Sequence, residues 1–201
     1  MGVRFTEEMK GWCTFGATDY AAGAHEGRRS GTSLMFHLTI ATDDLKRFRE
    51  DPLHEATAVG WVGCPALDEH ELPVSLGRFN LFAPGLARGR TTMRYRLFFA
   101  DTAGRPLTLV GFKDVGDDPG FDLWKDTTSL YTRLLEGHVE PVDDATATVR
   151  AAGVLVILPQ EFAKQLTTFR GTITDVVLFG LDFGRALVRT YAGRDSSGKR
   201  W

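Results

Sequence analysis

The stretch Thr91–Lys113, TTMRYRLFFADTAGRPLTLVGFK, decides how this chain folds. Two β-prone runs flank Asp101-Thr102-Ala103-Gly104, a string of turn formers, and that arrangement predicts an antiparallel hairpin. A turn centred on the tetrad sets Leu97 opposite Thr108, Tyr95 opposite Val110 and Met93 opposite Phe112. Met93, Tyr95, Leu97, Phe99, Val110 and Phe112 then share an interior face. Arg94, Arg96 and Lys113 share the solvent face with Phe98, Leu107 and Leu109.

The same period of two extends in both directions, from about residue 32 to 158. In Thr32–Thr42, Leu34, Phe36, Leu38 and Ile40 lie on one face, and Met35, His37 and Thr39 on the other. LKRFREDP follows as a short helical turn closed by Pro52, and His54–Cys64 is the next strand. Leu72–Ala83 reads as a strand kinked at Gly77, because an isolated glycine in a strand pattern marks a bulge. Val115–Asp122 is a loop by its glycine, proline and aspartate content. Thr127–His138 and Thr148–Leu158 are further strands, separated by the acidic loop Pro141–Asp144. No long helix intervenes between strands, which disfavours a parallel α/β sheet.

The expected fold is mainly β: an antiparallel barrel of about eight strands, lipocalin-like in shape, with one or two C-terminal helices. Closing the sheet removes the exposed edges that apolar strands would otherwise present. Residues 1–158 form the barrel in this reading. Residues 159–192, opened by Pro159 at a first helical position, are a helical segment packed on it. Residues 193–201 are a disordered tail.

The 201 residues are 43% hydrophobic and 25% charged, with 14 Phe and 22 Gly, which suits one aromatic-cored domain with many turns. A formal charge of −2 provides no general attraction to nucleic acid or anionic membrane. No uncharged apolar run is long enough for a spanning helix. The N-terminal MGVRFTEEMKG, with its acidic residues and no apolar core, is not a secretory signal. Cys13 and Cys64 form no CxxC pair and read as reduced thiols of a cytoplasmic protein, with a single disulfide between them as the alternative.

Signatures of familiar catalysis are missing. GxGxxG, GxxxxGK[ST] and GxSxG do not occur, so no nucleotide, flavin or other cofactor is expected. The five histidines are scattered, and the adjacent pairs His54-Glu55 and His70-Glu71 point to opposite sides of a strand, so no metal site is expected. His37 stands mid-strand among apolar neighbours and would be the best-placed acid/base only if it faced a cavity. The cluster Asp114, Asp117, Asp118, Asp122 and Asp126 lacks the closing glutamate of an EF-hand and reads as a solvated loop.

The aromatics are more telling. Phe36, Trp61, Phe79, Tyr95, Phe99, Phe112, Trp124 and Tyr131 fall on different elements, several on inward faces, and could line a ligand pocket or form a plain core. His37, Tyr95, Lys113 and Asp126 are the candidate catalytic residues, and Asn80 could join Tyr95, Lys113 and Asp126 in orienting a ligand.

FTEEMKG, FNLFAPG, MRYRLFFADTAGRPLTLVGFKDV and DDPGFDLWKDTTSLYTRLLEGH together resemble a roughly 200-residue middle region of large bacterial proteins. In those proteins a cholesterol-oxidase-like flavin enzyme of the glucose–methanol–choline class precedes it and an α/β-hydrolase follows. The resemblance covers about residues 5 to 192 and transfers neither flavin nor hydrolase residues. It implies a stand-alone module associated with sterol-like or other bulky lipophilic compounds.

The expected function is binding of a hydrophobic small molecule (sterol-, polyketide- or acyl-like) in the barrel. One alternative is a cofactor-independent isomerase or cyclase of a lipophilic biosynthetic intermediate, which needs only shape, dryness and one or two polar groups. Another is a non-catalytic interaction module, in which the C-terminal helix holds a homodimer or a partner enzyme.

Overall fold

A computed structural model describes residues 2–85, 91–115, 128–157 and 170. Nine antiparallel strands make one sheet: β1 (Val3–Phe15), β2 (Ser33–Thr42), β3 (Glu55–Cys64), β4 (Asp68–Pro73), β5 (Leu76–Pro84), β6 (Thr91–Ala100), β7 (Pro106–Val115), β8 (Ser129–Glu136) and β9 (Val149–Val156). Their order is β2-β1-β9-β8-β7-β6-β5-β3-β4, and a further β2–β3 pairing joins the ends into a closed barrel of eight strands. β4 hangs outside the ring as a hairpin on the second half of β3, whose first half pairs with β5. The chain is mainly β, as the alternation predicts.

Each strand turns alternate residues inward. Val3, Phe5, Glu7, Met9 and Cys13 of β1 are buried, as are Leu34, Phe36, Leu38 and Ile40 of β2 and Met93, Tyr95, Leu97 and Phe99 of β6. Cys13 and Cys64 are both buried free thiols. Contact with Cys64, together with burial, pushes the Cys13 thiol up from its ordinary pKa.

Among the described residues two α-helices lie outside the wall. α1 (Tyr20–Ser30) starts at Asp19, whose Oδ1 accepts the Ala22 N–H at 2.8 Å, and ends at Gly31 in the left-handed region. Its Gly23 and Gly27 press directly on the barrel: a Cβ would stand 2.2 Å from the Ala152 carbonyl oxygen at the first and 2.1 Å from the Cys13 carbonyl oxygen at the second. These glycines weaken the helical pattern, yet they are what lets the helix dock. α2 (Leu45–Glu50), capped by Asp44, turns Leu45 and Phe48 onto the core at one end of the barrel. No helix among the described residues is long and apolar enough to cross a membrane.

Several expectations need correction. The strands begin before residue 32: β1 already spans Val3–Phe15, with Glu7 and Gly11 interrupting its apolar face. The break in Leu72–Ala83 falls at Val74-Ser75 rather than Gly77, and the bulge lies between Asn80 and Ala83. The hairpin register is also one residue off. Met93 faces Lys113, Tyr95 faces Gly111 and Leu97 faces Leu109.

The reason for the register lies in the turn. The ladder closes at Ala100–Pro106, Gly104 takes φ 76°, and Asp101 accepts the Arg105 N–H at 2.9 Å. The loop therefore holds an odd number of residues and the parity of β7 inverts. Leu107, Leu109 and Lys113 are buried, whereas Val110 and Phe112 face out. The expected C-terminal helix and tail lie outside the described residues, except that Arg170 pairs with Arg4 of β1.

Candidate functional site

Two charged side chains interrupt the apolar lining of the barrel. Glu7 on β1 and Lys113 on β7 are each 3% exposed, and Nζ donates to Oε1 at 2.8 Å. Tyr95 on β6 donates its hydroxyl to the other oxygen, Oε2, also at 2.8 Å, and Lys113 Nζ lies 5.3 Å from the centre of the Tyr95 ring. In the ring of strands β6 stands diametrically opposite β1. The Glu7–Tyr95 contact therefore crosses the whole barrel interior.

Aromatic rings wall the cluster. Tyr95 meets Phe79 at 4.9 Å and Phe36 at 5.7 Å between ring centroids, and Phe79 meets Phe5 edge-on at 6.3 Å. The cluster lies toward the end of the barrel where β1, β3, β6 and β8 begin, the same end that α2 caps. Strand β5 bulges there, with Phe82 buried at φ 49°, a conformation that costs a non-glycine residue about 1–3 kcal/mol. The opposite half is filled by Leu97, Phe99, Leu107, Leu109 and Leu134.

Energetics argue against a purely stabilising role for the pair. Coulomb attraction at this separation is about 6 kcal/mol at an effective dielectric near 20. Removing each ion from water costs several kcal/mol, so the two effects roughly cancel. Replacing a buried ion pair by apolar residues of similar volume is often neutral or stabilising. A shifted ionisable group beside a specific charge partner in a buried site marks a candidate for chemistry or recognition, and Tyr95 is that group here. Burial, reinforced by the neighbouring Glu7 charge, pushes the Tyr95 phenol well above its ordinary pKa, so it keeps its proton.

The structure divides the residues singled out from sequence. Phe36, Phe79, Tyr95 and Phe99 are in the core, and Lys113 joins them instead of facing solvent. Phe112 and Tyr131 are on the outer wall, where Tyr20 of α1 packs on them at 5.6 and 5.8 Å, capped by the Arg133 guanidinium 4.6 Å from the Tyr20 ring.

Trp61 is also outside, stacked on His37 at 5.8 Å with 14° between the planes. His37 Nδ1 lies 3.2 Å from Glu8 Oε2, and Lys10 together with His37 holds the Glu8 carboxyl below its ordinary pKa. His37 therefore faces no interior chemistry. Asn80 spends its amide on the Leu53 carbonyl at 3.2 Å. Trp124 and Asp126 lie outside the described residues. Among the described residues no three His, Cys, Asp or Glu side chains cluster to hold a metal.

Glu7 is the residue that sequence reasoning missed. The signal was present: an acid within Val3, Phe5, Met9 and Cys13, and a base closing Leu107, Leu109 and Gly111, are opposite charges on two apolar faces. No protein-family model, curated protein or solved structure matches this chain.

Proposed function

We propose that the barrel binds one hydrophobic small molecule, sterol-, polyketide- or acyl-like, with its polar end at Glu7, Tyr95 and Lys113. The observation that carries this reading is the buried Glu7–Lys113 ion pair, with the Tyr95 hydroxyl on the same carboxylate, set among Phe and Leu side chains. Such a site binds by burying apolar area, at about 25 cal/mol per Å², while a few polar groups fix orientation. An eight-stranded barrel encloses room for its own side chains or for one small ligand.

One contact favours a second reading, a cofactor-independent isomerase or cyclase. The Tyr95 hydroxyl rests on the Glu7 carboxylate, so a protonated acid and a potential base meet in a water-poor interior.

Native mass spectrometry of protein purified from its own host tests the binding reading. A chain carrying one lipophile supports it, and Tyr95→Ala should lose that mass while Arg94→Ala keeps it. Bare chain in gentle conditions, with nothing in an organic extract of the same sample, overturns it.

A further inference from the structure

Resting on that binding reading, we infer that the ligand presents a neutral oxygen acceptor, a ketone, aldehyde or ester carbonyl, to the Lys113 ammonium, and that carboxylic-acid lipids are selected against. Both oxygens of Glu7 are engaged, Oε1 by Lys113 and Oε2 by Tyr95, each at 2.8 Å. The ammonium has three N–H donors. Among the described residues its one hydrogen-bond partner is Glu7; the Tyr95 ring centre lies 5.3 Å from Nζ, and the residue paired with Lys113 across the ladder is the apolar Met93.

A ligand that completes this site must therefore accept hydrogen bonds. Charge decides which acceptor. Glu7 and Lys113 sum to zero, and the other buried polar residues described are neutral threonines and Asp101 in the β6–β7 turn at the far end. A bound carboxylate would leave one uncompensated negative charge in an apolar barrel, which is heavily penalised. A carbonyl satisfies an ammonium donor and adds no charge, and hydrogen bonds to charged donors are the strong ones.

The test uses two isosteric pairs: undecyl methyl ketone against dodecanoate, and adamantyl methyl ketone against adamantanecarboxylate. Each pair differs by a methyl group against an anionic oxygen. Calorimetric titration of the full chain should show at least one ketone binding tenfold or more tighter than its carboxylate. Glu7→Gln leaves the site with a net positive charge, and the preference should swing toward the carboxylate. A merely structural pair predicts no such inversion. If Glu7→Gln does not fold by circular dichroism, the volume-matched Glu7→Leu/Lys113→Met double variant should bind the ketone about tenfold more weakly than the parent chain. Carboxylate binding as tight as ketone binding, or a folded Glu7→Gln without inversion, overturns this inference and leaves ligand binding standing. Binding of neither member of either pair overturns both.

Discussion

Lys113 stands directly opposite Met93 across the β6–β7 ladder, and that one pairing places a cation inside the barrel. Had the turn held one residue fewer, Phe112 would occupy the interior position and Glu7 would face no base. The odd-length loop is thus linked through register to the only charged contact described in the barrel interior.

The first expectation concerns this pair. Lys113→Met should destabilise the protein by about 3–5 kcal/mol in urea, because it strands Glu7 as an unpaired buried charge. Glu7→Leu/Lys113→Met should recover most of that loss, since apolar replacements of similar volume fill the space without desolvation. A Lys113→Met protein that unfolds at the parental urea concentration would show that the ion pair does not form.

Register can be tested by truncation. Leu109 is fully buried, whereas Val110 faces out between Arg96 and Arg133. Leu109→Ala should cost about 2–5 kcal/mol. Val110→Ala should cost about 1 kcal/mol or less, the span of strand propensity on an outer face. The reverse order would restore the register in which Val110 lines the core.

Docking of α1 depends on its two glycines. Gly27→Val places a Cβ against the Cys13 carbonyl, with only 2.1 Å available. Overpacking of this kind costs about 1–3 kcal/mol or more. At this chain length each kcal/mol lowers Tm by about 2–4 °C, so scanning calorimetry should find a clear drop. Gly31→Ala, where nothing lies within 4 Å but φ is 76°, should show only the smaller penalty of a left-handed cap.

Alkaline stability should follow Tyr95. Its folded pKa is raised by burial and by Glu7, while the unfolded side chain titrates near about 10. Below that value both states hold the proton and the stabilising contribution is complete. Above it the unfolded chain releases the proton and the folded one does not, so stability falls toward the folded pKa by up to about 1.4 kcal/mol per pH unit. Tyr95→Phe should flatten this part of the pH profile in urea titrations. An unchanged slope would mean that Tyr95 titrates normally.

Much of the architecture was legible in the chain itself. Alternation in Leu34, Phe36, Leu38 and Ile40 and in Met93, Tyr95, Leu97 and Phe99 names interior faces, because a strand's side chains alternate whatever it pairs with. The turn formers at Asp101–Gly104 mark a hairpin by local backbone preference alone. Tyr95 was therefore readable as an interior residue. Trp61 and Tyr131 were not readable as exterior, since an aromatic suits an inner wall or an outer face beneath a helix equally well. Lys113 was misplaced by one step of register, which depends on how many residues Gly104 allows the loop to hold.

Composition and periodicity by themselves determined a closed antiparallel wall with an aromatic interior, because those properties follow from local alternation and from the need to hide strand edges. Only the tertiary structure decided that Glu7 meets Lys113 from 106 residues away and Tyr95 from 88. Barrel closure sets those distances, and no local preference of the chain encodes which strands face one another across the interior.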